Sequence, residues 1–551
     1  MKSSGSNFST SSFSHQLQEN VAVDVLVIGS GPVGSTYSRI ITEARPNASV
    51  LMIDAGPALT KTPGLHLSNL YDDVERVRLQ VLSQGSSQFR YRLRQWAERA
   101  SPQALEATNE ARASLLGFPG TYLTNTSNSA SSKNCFPAAS HSTNVGGMGV
   151  HWTCACPRPS SGERASFIAQ QDWNRALAKA EALLSVTTRA YLANPVGLAI
   201  LKKLGEIYNP NLLPEQEVQP MPLACELVDE DRRAWSGPET VLGRLATAEH
   251  PNFSLRSETV CRELITTNGK VTGAVLEYRP TKRRYIVPVG LVIVAADALR
   301  TPQLLWASGI RPAALGHYLN DHPMVTATVV LKEEFGVVAG GALPRQIDDQ
   351  SSPGERVSDN DPFYGVYWIP FDAHKHPYHG QVMLKASSLV DAVDTQGRQL
   401  VGLSWYCTKQ PSFENYLQFS EIETDFLGLP KITIHYKLTD LDLKAIEGAK
   451  QDVDHAAGLL GKYVDGGVPT AMPVGMSLHY QGTIRMGPIN DGTSVCDSRS
   501  KVWGFDNLYV GGNGVISTAT ACNPTLTSVA LAVLASEDVV SRLPHNAEIP
   551  Y

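Results

Sequence analysis

The segment from Val23 to Asp54 constrains the fold more than any other stretch. It opens with Val-Asp-Val-Leu-Val-Ile, a β-branched apolar run suited to a strand buried on both faces. The run leads directly into Gly29-x-Gly31-x-x-Gly34, with Pro32 at the first position of a helix. In such a turn the first glycine makes the tight bend, the second admits a pyrophosphate, and the third lets helix and strand pack closely. The helix then points its positive N-terminus at the phosphates. A second apolar strand over 48–53 ends at Asp54, 20 residues beyond Gly34. A carboxylate there accepts a ribose hydroxyl and repels a 2′-phosphate. This order of elements predicts a doubly wound α/β dinucleotide-binding sheet. By itself the fingerprint admits NAD or FAD.

At 551 residues the chain exceeds one ordinary domain, and 42% hydrophobic against 18% charged residues supports large buried cores. A net charge of −6, with no dominant basic patch, argues against nucleic acid as a partner. Residues 1–20 are rich in serine and lack an apolar h-region, so they read as a disordered tail rather than a signal or a membrane span. The expected location is therefore cytoplasmic, with the eight cysteines reduced and no membrane partner. Cys154 and Cys156 lack zinc spacing, and the cluster His374, His376 and His379 has no carboxylate or cysteine at ligand spacing, so no metal is expected. Cys522 reads as a small buried hydrophobe rather than a nucleophile.

Two further motifs carry chemistry. Asn144-Val145-Gly146-Gly147-Met148-Gly149-Val150-His151-Trp152-Thr153-Cys154 joins a glycine pair to a histidine and a tryptophan. Glycines let main chain approach a large flat cofactor, because no Cβ intervenes. Near the C-terminus stands His479-Tyr480-Gln481-Gly482-Thr483-x-Arg485-Met486-Gly487. A short strand over 507–510 then runs into Gly511-Gly512-Asn513-Gly514, and Asn523-Pro524-Thr525 opens a helix. Leu526, Val529, Ala530 and Val533 form the apolar stripe of that helix.

These motifs resemble those of the pyranose oxidases, a branch of the glucose–methanol–choline (GMC) oxidoreductases, and above all the shorter bacterial members that include glycoside 3-oxidases. The resemblance spans about residues 23 to 540. It implies an α/β fold: a discontinuous Rossmann-like FAD-binding domain, of GMC/PHBH type, with an inserted α+β substrate-binding domain. It implies FAD as cofactor, carried covalently by His151. Gly29, Gly31, Pro32, Gly34, Asp54, Gly146, Gly147, Met148, His151, Trp152, Thr153, Val260, Asn513, Gly514, Asn523 and Thr525 are the implied cofactor contacts. It implies that His479 and Asn523 face the flavin together and form the catalytic pair. Histidine titrates near neutrality and can take a hydroxyl proton, while Asn523 hydrogen-bonds the same hydroxyl. The chain departs from the family at Gly149-Val150, where fungal members carry small hydroxyl residues. It departs again at Asp297, where A-A-G is usual before T-P-Q-L-L; aspartate tolerates left-handed backbone better than most residues.

The implied reaction oxidises a secondary ring hydroxyl, at carbon 2 or carbon 3, of a pyranose or of an O- or C-glycoside. Oxygen or quinones reoxidise the flavin. The stretch His376-Pro377-Tyr378-His379 resembles the approach to the family's mobile substrate loop, which places residues 381–389 over the sugar. The family's aromatic loop sequence is not reproduced there, so the reading leans to carbon 3 of glycosides. Gln381 and Trp405, with His479 and Asn523, are the expected sugar contacts; core packing stays open for Trp405. Two other readings stay open: another GMC alcohol oxidase acting on aryl alcohol, choline or sterol, and a flavin-binding protein or lyase without redox chemistry.

The expected domain order is a tail over 1–20, FAD-binding segments over 21–165, 236–318 and 475–551, and substrate-binding segments over 166–235 and 319–474. The first FAD-binding segment contains an excursion over 60–130. Within this frame a hairpin turns at Asn268-Gly269, a helix over 172–185 is capped by Asp172, a second runs over 198–208, and the polar stretch 344–361 is a possible lid. The assembly expected is a monomer.

Overall fold

Apolar strands with no polar face are satisfied only inside a sheet covered on both sides. The computed structural model describes residues 21–84, 136, 138–191, 195–210, 212–228, 233–335, 363–385, 398–464 and 467–544. The tail 1–20, the stretch 344–361, residues 386–389 of the expected substrate loop and most of the excursion over 60–130 lie outside the described residues.

Val23–Ile28 pairs in parallel with Val50–Ile53 on one side and with the second half of Arg283–Val294 on the other. Phe253–Arg256 and Leu508–Val510 extend this sheet in parallel at its two edges. Helix Pro32–Ala44 lies on the strands, packed against helix Thr525–Arg542, which in turn packs on helix Gln170–Leu183. The first half of Arg283–Val294 leaves the parallel sheet and pairs antiparallel with Lys270–Tyr278, which pairs with Thr259–Thr267. The turn between the last two is Asn268-Gly269, with φ +48° and +75°, the left-handed pair that a type I′ hairpin requires. The parallel strands thus end side by side at Gly29, Asp54, Ala295 and Gly511, and ligands of open α/β sheets bind outside such carboxyl ends.

The second sheet is antiparallel. Met324–Leu331, Leu400–Cys407, Tyr378–Lys385 and Phe363–Ile369 lie in that spatial order, edged by Gly461–Tyr463 and Gln219–Pro220. Side chains alternate between faces along a strand. One face carries Val329, Tyr367, Ile369, Val382, Leu384, Leu403 and Trp405, buried against helices Asp440–Leu460 and Pro195–Tyr208. The opposite face turns toward the first sheet, and Val366, Trp368 and Met383 join its core.

Three local expectations change in detail. The helix expected over 172–185 begins earlier, as Gln170–Leu183 after Ala169, so Asp172 is not its cap. Asp172 stands in the first turn, where a carboxylate favours the helix dipole, and accepts from Arg175 and Arg499. The helix expected over 198–208 starts at Pro195. Asp297 does take the left-handed conformation, φ +74°, and its Oδ1 accepts from the N–H groups of Leu299 and Arg300 at 2.6 and 2.9 Å. The residue that replaces glycine therefore also satisfies two otherwise open N–H groups in the first turn of helix Asp297–Ala307. Among the described residues no helix is long and apolar enough to cross a membrane.

Candidate active site

The glycines of the first turn divide into two kinds. A Cβ on Gly29 would stand 2.3 Å from the Ala295 carbonyl oxygen, and one on Gly34 would stand 2.0 Å from the Gly29 carbonyl oxygen. Both are demanded by packing. A Cβ on Gly31 would meet nothing nearer than the Gly146 carbonyl oxygen at 3.9 Å, so that glycine keeps a space clear rather than a contact close. Pro32 starts the helix above it. Asp54 is buried, and burial raises its carboxyl to about 6 against the lowering effect of its hydrogen bonds. Its Oδ2 accepts from the Ser30 hydroxyl and N–H at 2.5 and 3.2 Å, and its Oδ1 from the Gly56 N–H at 2.9 Å. Four lone-pair sites less three bonds leave room for a ribose hydroxyl. Val260 packs with Ala55, Leu427 and Leu429 just beyond Asp54.

The second motif is tied to the first by a residue that sequence reasoning missed. The Ser30 hydroxyl, while donating to Asp54, accepts from the Gly146 N–H at 2.8 Å. Gly146 and Gly147 hold φ +94° and +54°, and around Gly147 a Cβ would meet nothing within 4 Å. Gly149 is fixed by Pro238 and Pro32, whose ring carbons would lie 2.8 and 3.1 Å from an added Cβ; the hydroxyl residue of the fungal pattern has no room here. Met148 is half-buried beside it and Thr153 is exposed. The Trp152 indole donates to the Ser236 carbonyl at 2.8 Å. His151 is pushed down to about 3 by burial first and by nearby His66 second, so its imidazole is neutral. Its Nδ1 is buried without a hydrogen-bond partner among the described residues, as is Asn144 Oδ1. Clear space, left-handed glycines and orphaned polar atoms around one loop fit a large planar cofactor with polar edges. At the other rim Asn513 Oδ1 accepts from Ser528 at 2.6 Å, Gly514 packs on Ile484, and Thr525 opens the last helix.

The third motif meets the second sheet. His479 Nε2 lies 3.2 Å from the Asn523 amide nitrogen. Asn523 Oδ1 accepts from the Gln381 amide at 2.7 Å, and the Gln381 amide lies 3.0 Å from His379 Nε2. The Trp368 indole donates to His379 Nδ1 at 2.9 Å. These residues share a face because Trp368 pairs with Gln381 across the strands, and His379 and Gln381 are two apart. The Tyr406 ring lies 5.2 Å from the His479 ring, centroid to centroid, and 5.6 Å from that of His379. Burial pushes both His479 and His379 down to about 3, so each is a neutral imidazole with one N–H and one lone pair, and the lone pair of His379 accepts from Trp368.

Three more residues without a place in the sequence reading build this cluster. Asp321 Oδ1 accepts from the His479 N–H at 3.0 Å and from the Ser477 hydroxyl, fixing the backbone where Leu478 holds φ +61°. His322 Nδ1 faces His479 Nδ1 at 3.0 Å. Glu163 Oε1 accepts from the N–H groups of Ala521 and Cys522 at 2.7 and 3.1 Å, holding the loop that delivers Asn523. The only local signal was the polar triplet Asn320-Asp321-His322 at the entrance to an apolar strand. Cys522 is buried and its thiol lies well above the usual range through burial, which suits the apolar role expected of it.

Trp405 is not brought into this cluster. It is fully buried on the opposite face of the sheet, and its indole donates to Asp452 at 2.6 Å. The aromatic surface on the polar side belongs to Tyr406, one residue along, because neighbouring strand residues point to opposite faces. The histidines of the 374–379 cluster also part company: His374 is exposed, His376 Nε2 lies 3.1 Å from Asp452 on the helix side, and His379 joins the site.

Family models of GMC oxidoreductases match residues 160–324 and 411–532. The chain is 39% identical to a C-glycoside 3-oxidase of Microbacterium trichothecenolyticum, over 95% of this chain and 97% of that one. It is 31% identical to a pyranose 2-oxidase of Tricholoma matsutake, over 94% of each. A formate oxidase of Aspergillus oryzae superposes with a TM-score of 0.64 at 14% identity, over 95% of this chain and 98% of that one, and shares the fold. The two matched stretches and the likeness along nearly the whole chain agree, and the chain belongs to the FAD-dependent GMC oxidoreductase family.

Proposed function

We propose that the protein oxidises the carbon 3 hydroxyl of a pyranose glycoside to a ketone, with His479 and Asn523 as the catalytic pair. The observation that carries this reading is the meeting of three polar groups from three distant parts of the chain. His479 Nε2 and the Asn523 amide stand 3.2 Å apart, and the Gln381 amide lies 2.7 Å beyond them. A secondary alcohol needs one base and one orienting hydrogen bond, and a sugar offers further hydroxyls to Gln381 and His379 on the adjoining face. Likeness to a C-glycoside 3-oxidase along nearly the whole chain supports carbon 3, as does the unfamiliar loop sequence after Gln381.

In this reading Gly29, Gly31, Pro32, Gly34 and Asp54 hold the adenosine and pyrophosphate part of FAD, with Val260 at the adenine. Gly146, Gly147, Met148, His151, Trp152, Thr153, Asn513, Gly514, Asn523 and Thr525 hold the flavin part. Bound FAD supplies the hydride acceptor. His479 Nε2 takes the hydroxyl proton, and its neutrality leaves the lone pair ready. The Asn523 amide donates to the same oxygen and fixes the direction of its carbon–hydrogen bond. Positive charge that gathers on His479 would favour the negative charge that bound FAD gains with the hydride. The orphaned Nδ1 of His151 belongs to an imidazole free to bond the flavin covalently. Such a bond withdraws electrons from the ring and favours hydride uptake from a weakly reducing alcohol.

The remaining parts of the reading are oxygen as acceptor, giving hydrogen peroxide, with quinones as alternatives, a cytoplasmic location and a monomer. The FAD-binding domain comprises 21–165, 236–318 and 475–551, and the substrate domain comprises 166–235 and 319–474. Anaerobic mixing of the yellow protein with glucose, O-glycosides, C-glycosides and choline tests the core of it. Glycosides should bleach the oxidised flavin band, and NMR of the product should show a ketone at carbon 3. No bleaching by any carbohydrate would sink the reading. Denaturing the same sample should leave flavin attached to the chain; flavin freed into the supernatant would remove the His151 linkage.

A further inference from the structure

His479 has two ring nitrogens, and the proposed reaction uses only one. Its Nε2 faces Asn523 at 3.2 Å, while its Nδ1 faces His322 Nδ1 at 3.0 Å. Both rings are buried, and burial holds both neutral: His479 is lowered to about 3 and His322 well below its usual value. A neutral imidazole has one N–H and one lone pair. Two neutral imidazoles that meet Nδ1 to Nδ1 therefore have two arrangements only. If His322 donates, the His479 proton sits on Nε2 and the lone pair aimed at substrate is lost. If His322 accepts, the His479 proton sits on Nδ1 and Nε2 is free.

The surroundings of His322 permit the second arrangement. An accepting Nδ1 puts the His322 proton on Nε2, which needs an acceptor. Thr520 Oγ1 lies 3.0 Å from that Nε2 and can accept from it. The Gln481 amide nitrogen is 2.8 Å from His322 Nε2 and 2.9 Å from Thr520 Oγ1, so this arrangement turns the amide: its oxygen then accepts from both His322 Nε2 and the Thr520 hydroxyl. The partners are held firmly. Glu163 clamps Ala521 and Cys522 next to Thr520, and Asp321, adjacent to His322, holds the His479 N–H. His322 is itself buried to 2% exposure, with its ring at 5.0 Å from the His479 ring, centroid to centroid, and edge-on to it.

We propose that His322 is a positioning residue that accepts the Nδ1 hydrogen of His479 and so keeps Nε2 unprotonated for the substrate hydroxyl. This rests on the reading of His479 as the base. When the hydroxyl proton moves, the substrate O–H bond breaks and the Nε2–H bond forms. The positive charge is then shared along Nδ1–H···Nδ1 with His322, whose Nε2–H leans on Thr520. The hydride of the same turnover goes to bound FAD, and the substrate gains its carbonyl bond.

Asparagine places an amide atom where the Nδ1 of histidine sits, and leucine fills the space without an acceptor. His322→Asn should stay within about 5-fold of wild-type flavin bleaching by glycoside, and His322→Leu should lose about 10²-fold, the scale of general-base assistance. A purely structural role would move both alike. Nitrogen-15 NMR of histidine-labelled holoenzyme reads the tautomer directly, with the His479 signal identified by its loss in His479→Ala. The expected His479 signal is Nδ1–H in wild type and His322→Asn, and Nε2–H in His322→Leu. Equal losses for asparagine and leucine, or Nε2–H on His479 in the wild type, would overturn the proposal. If His322→Leu does not fold, the asparagine variant and the wild-type spectrum still decide. Failure of the glycoside reading would show separately, as an unbleached wild type.

Discussion

In the reading proposed above, the two sheets hold their ligands by different means. At the carboxyl ends of the parallel strands the site is made of backbone: Gly29, Gly34 and Gly146 leave no space for a side chain, and Gly31 and Gly147 leave nothing but space. On the antiparallel sheet the site is made of side chains: Trp368, His379, Gln381 and Tyr406 stand on one pleated face. Backbone recognition suits an invariant cofactor, because it depends on shape and closeness. Side-chain recognition suits a variable substrate, because one substitution on a rigid strand changes a hydrogen bond and leaves the frame intact. The consequence is an asymmetry in tolerance. Small changes at the first sheet should abolish the holoprotein, and larger changes at the second should alter only the rate or the affinity.

The largest effect expected is at Gly34. An added methyl meets the Gly29 carbonyl oxygen at 2.0 Å, a clash of backbone with no flexible end to yield. Gly34→Ala should cost more than the ~1–3 kcal/mol of ordinary overpacking and give little soluble yellow protein. Gly31→Ala sharpens the point, because its methyl enters open space. That variant should fold with an unchanged apoprotein melting temperature and bind FAD more weakly, read as flavin absorbance per chain. Equal flavin content and melting in both variants would end the distinction between packing glycines and clearing glycines.

Next comes His479→Ala, which should keep its flavin and slow anaerobic bleaching by about 10²–10⁴-fold. Bleaching near the wild-type rate would remove His479 as the base. The pH profile carries the sign. A histidine lowered to about 3 stays unprotonated well below the usual 6.5, so the acid limb of wild-type kcat/KM should lie well under pH 6. The same shift acts on stability in the opposite sense. Between 6.5 and about 3 the unfolded chain takes the proton that the folded ring refuses, so stability falls as pH drops through that window. His479→Ala should therefore melt with a shallower acid dependence than wild type.

The asymmetry between the sheets also governs what the sequence reveals. Backbone demands are local, so Gly29-x-Gly31-x-x-Gly34 and the Gly146-Gly147 pair declare themselves in a few residues, and the fold class follows from them. The His479 and Asn523 motifs are local too, each with its glycine or proline context. What stays hidden is whatever depends on distant pairing. His322 meets His479 across 157 positions, and Ser30 reaches Gly146 across 116. Neither partner carries a mark of the other. Strand parity hides in the same way. Every residue of Leu400–Cys407 is buried, so the strand shows no alternation from which to tell that Tyr406, and not Trp405, faces the site.

That parity gives the smallest expected effect on turnover and the finest test of the comparison. Gln381 and Trp405 were both expected at the sugar, but they stand on opposite faces of one sheet. Gln381→Ala removes the amide that touches Asn523 while leaving the core untouched. It should raise KM for the glycoside by about 10-fold, the worth of one hydrogen bond in a polar site, with melting nearly unchanged. Trp405→Phe keeps most of the buried ring but deletes the N–H that Asp452 accepts at 2.6 Å. Asp452 retains His376 and the Tyr208 hydroxyl, so the loss should be about 2 kcal/mol of stability, visible as a lower melting temperature, with kcat and KM within about 2-fold of wild type. A raised KM in Trp405→Phe at unchanged stability would put the indole back at the sugar. The two faces of the sheet could then no longer be assigned separate tasks, because the helix-packed side would be reaching the substrate through the strand.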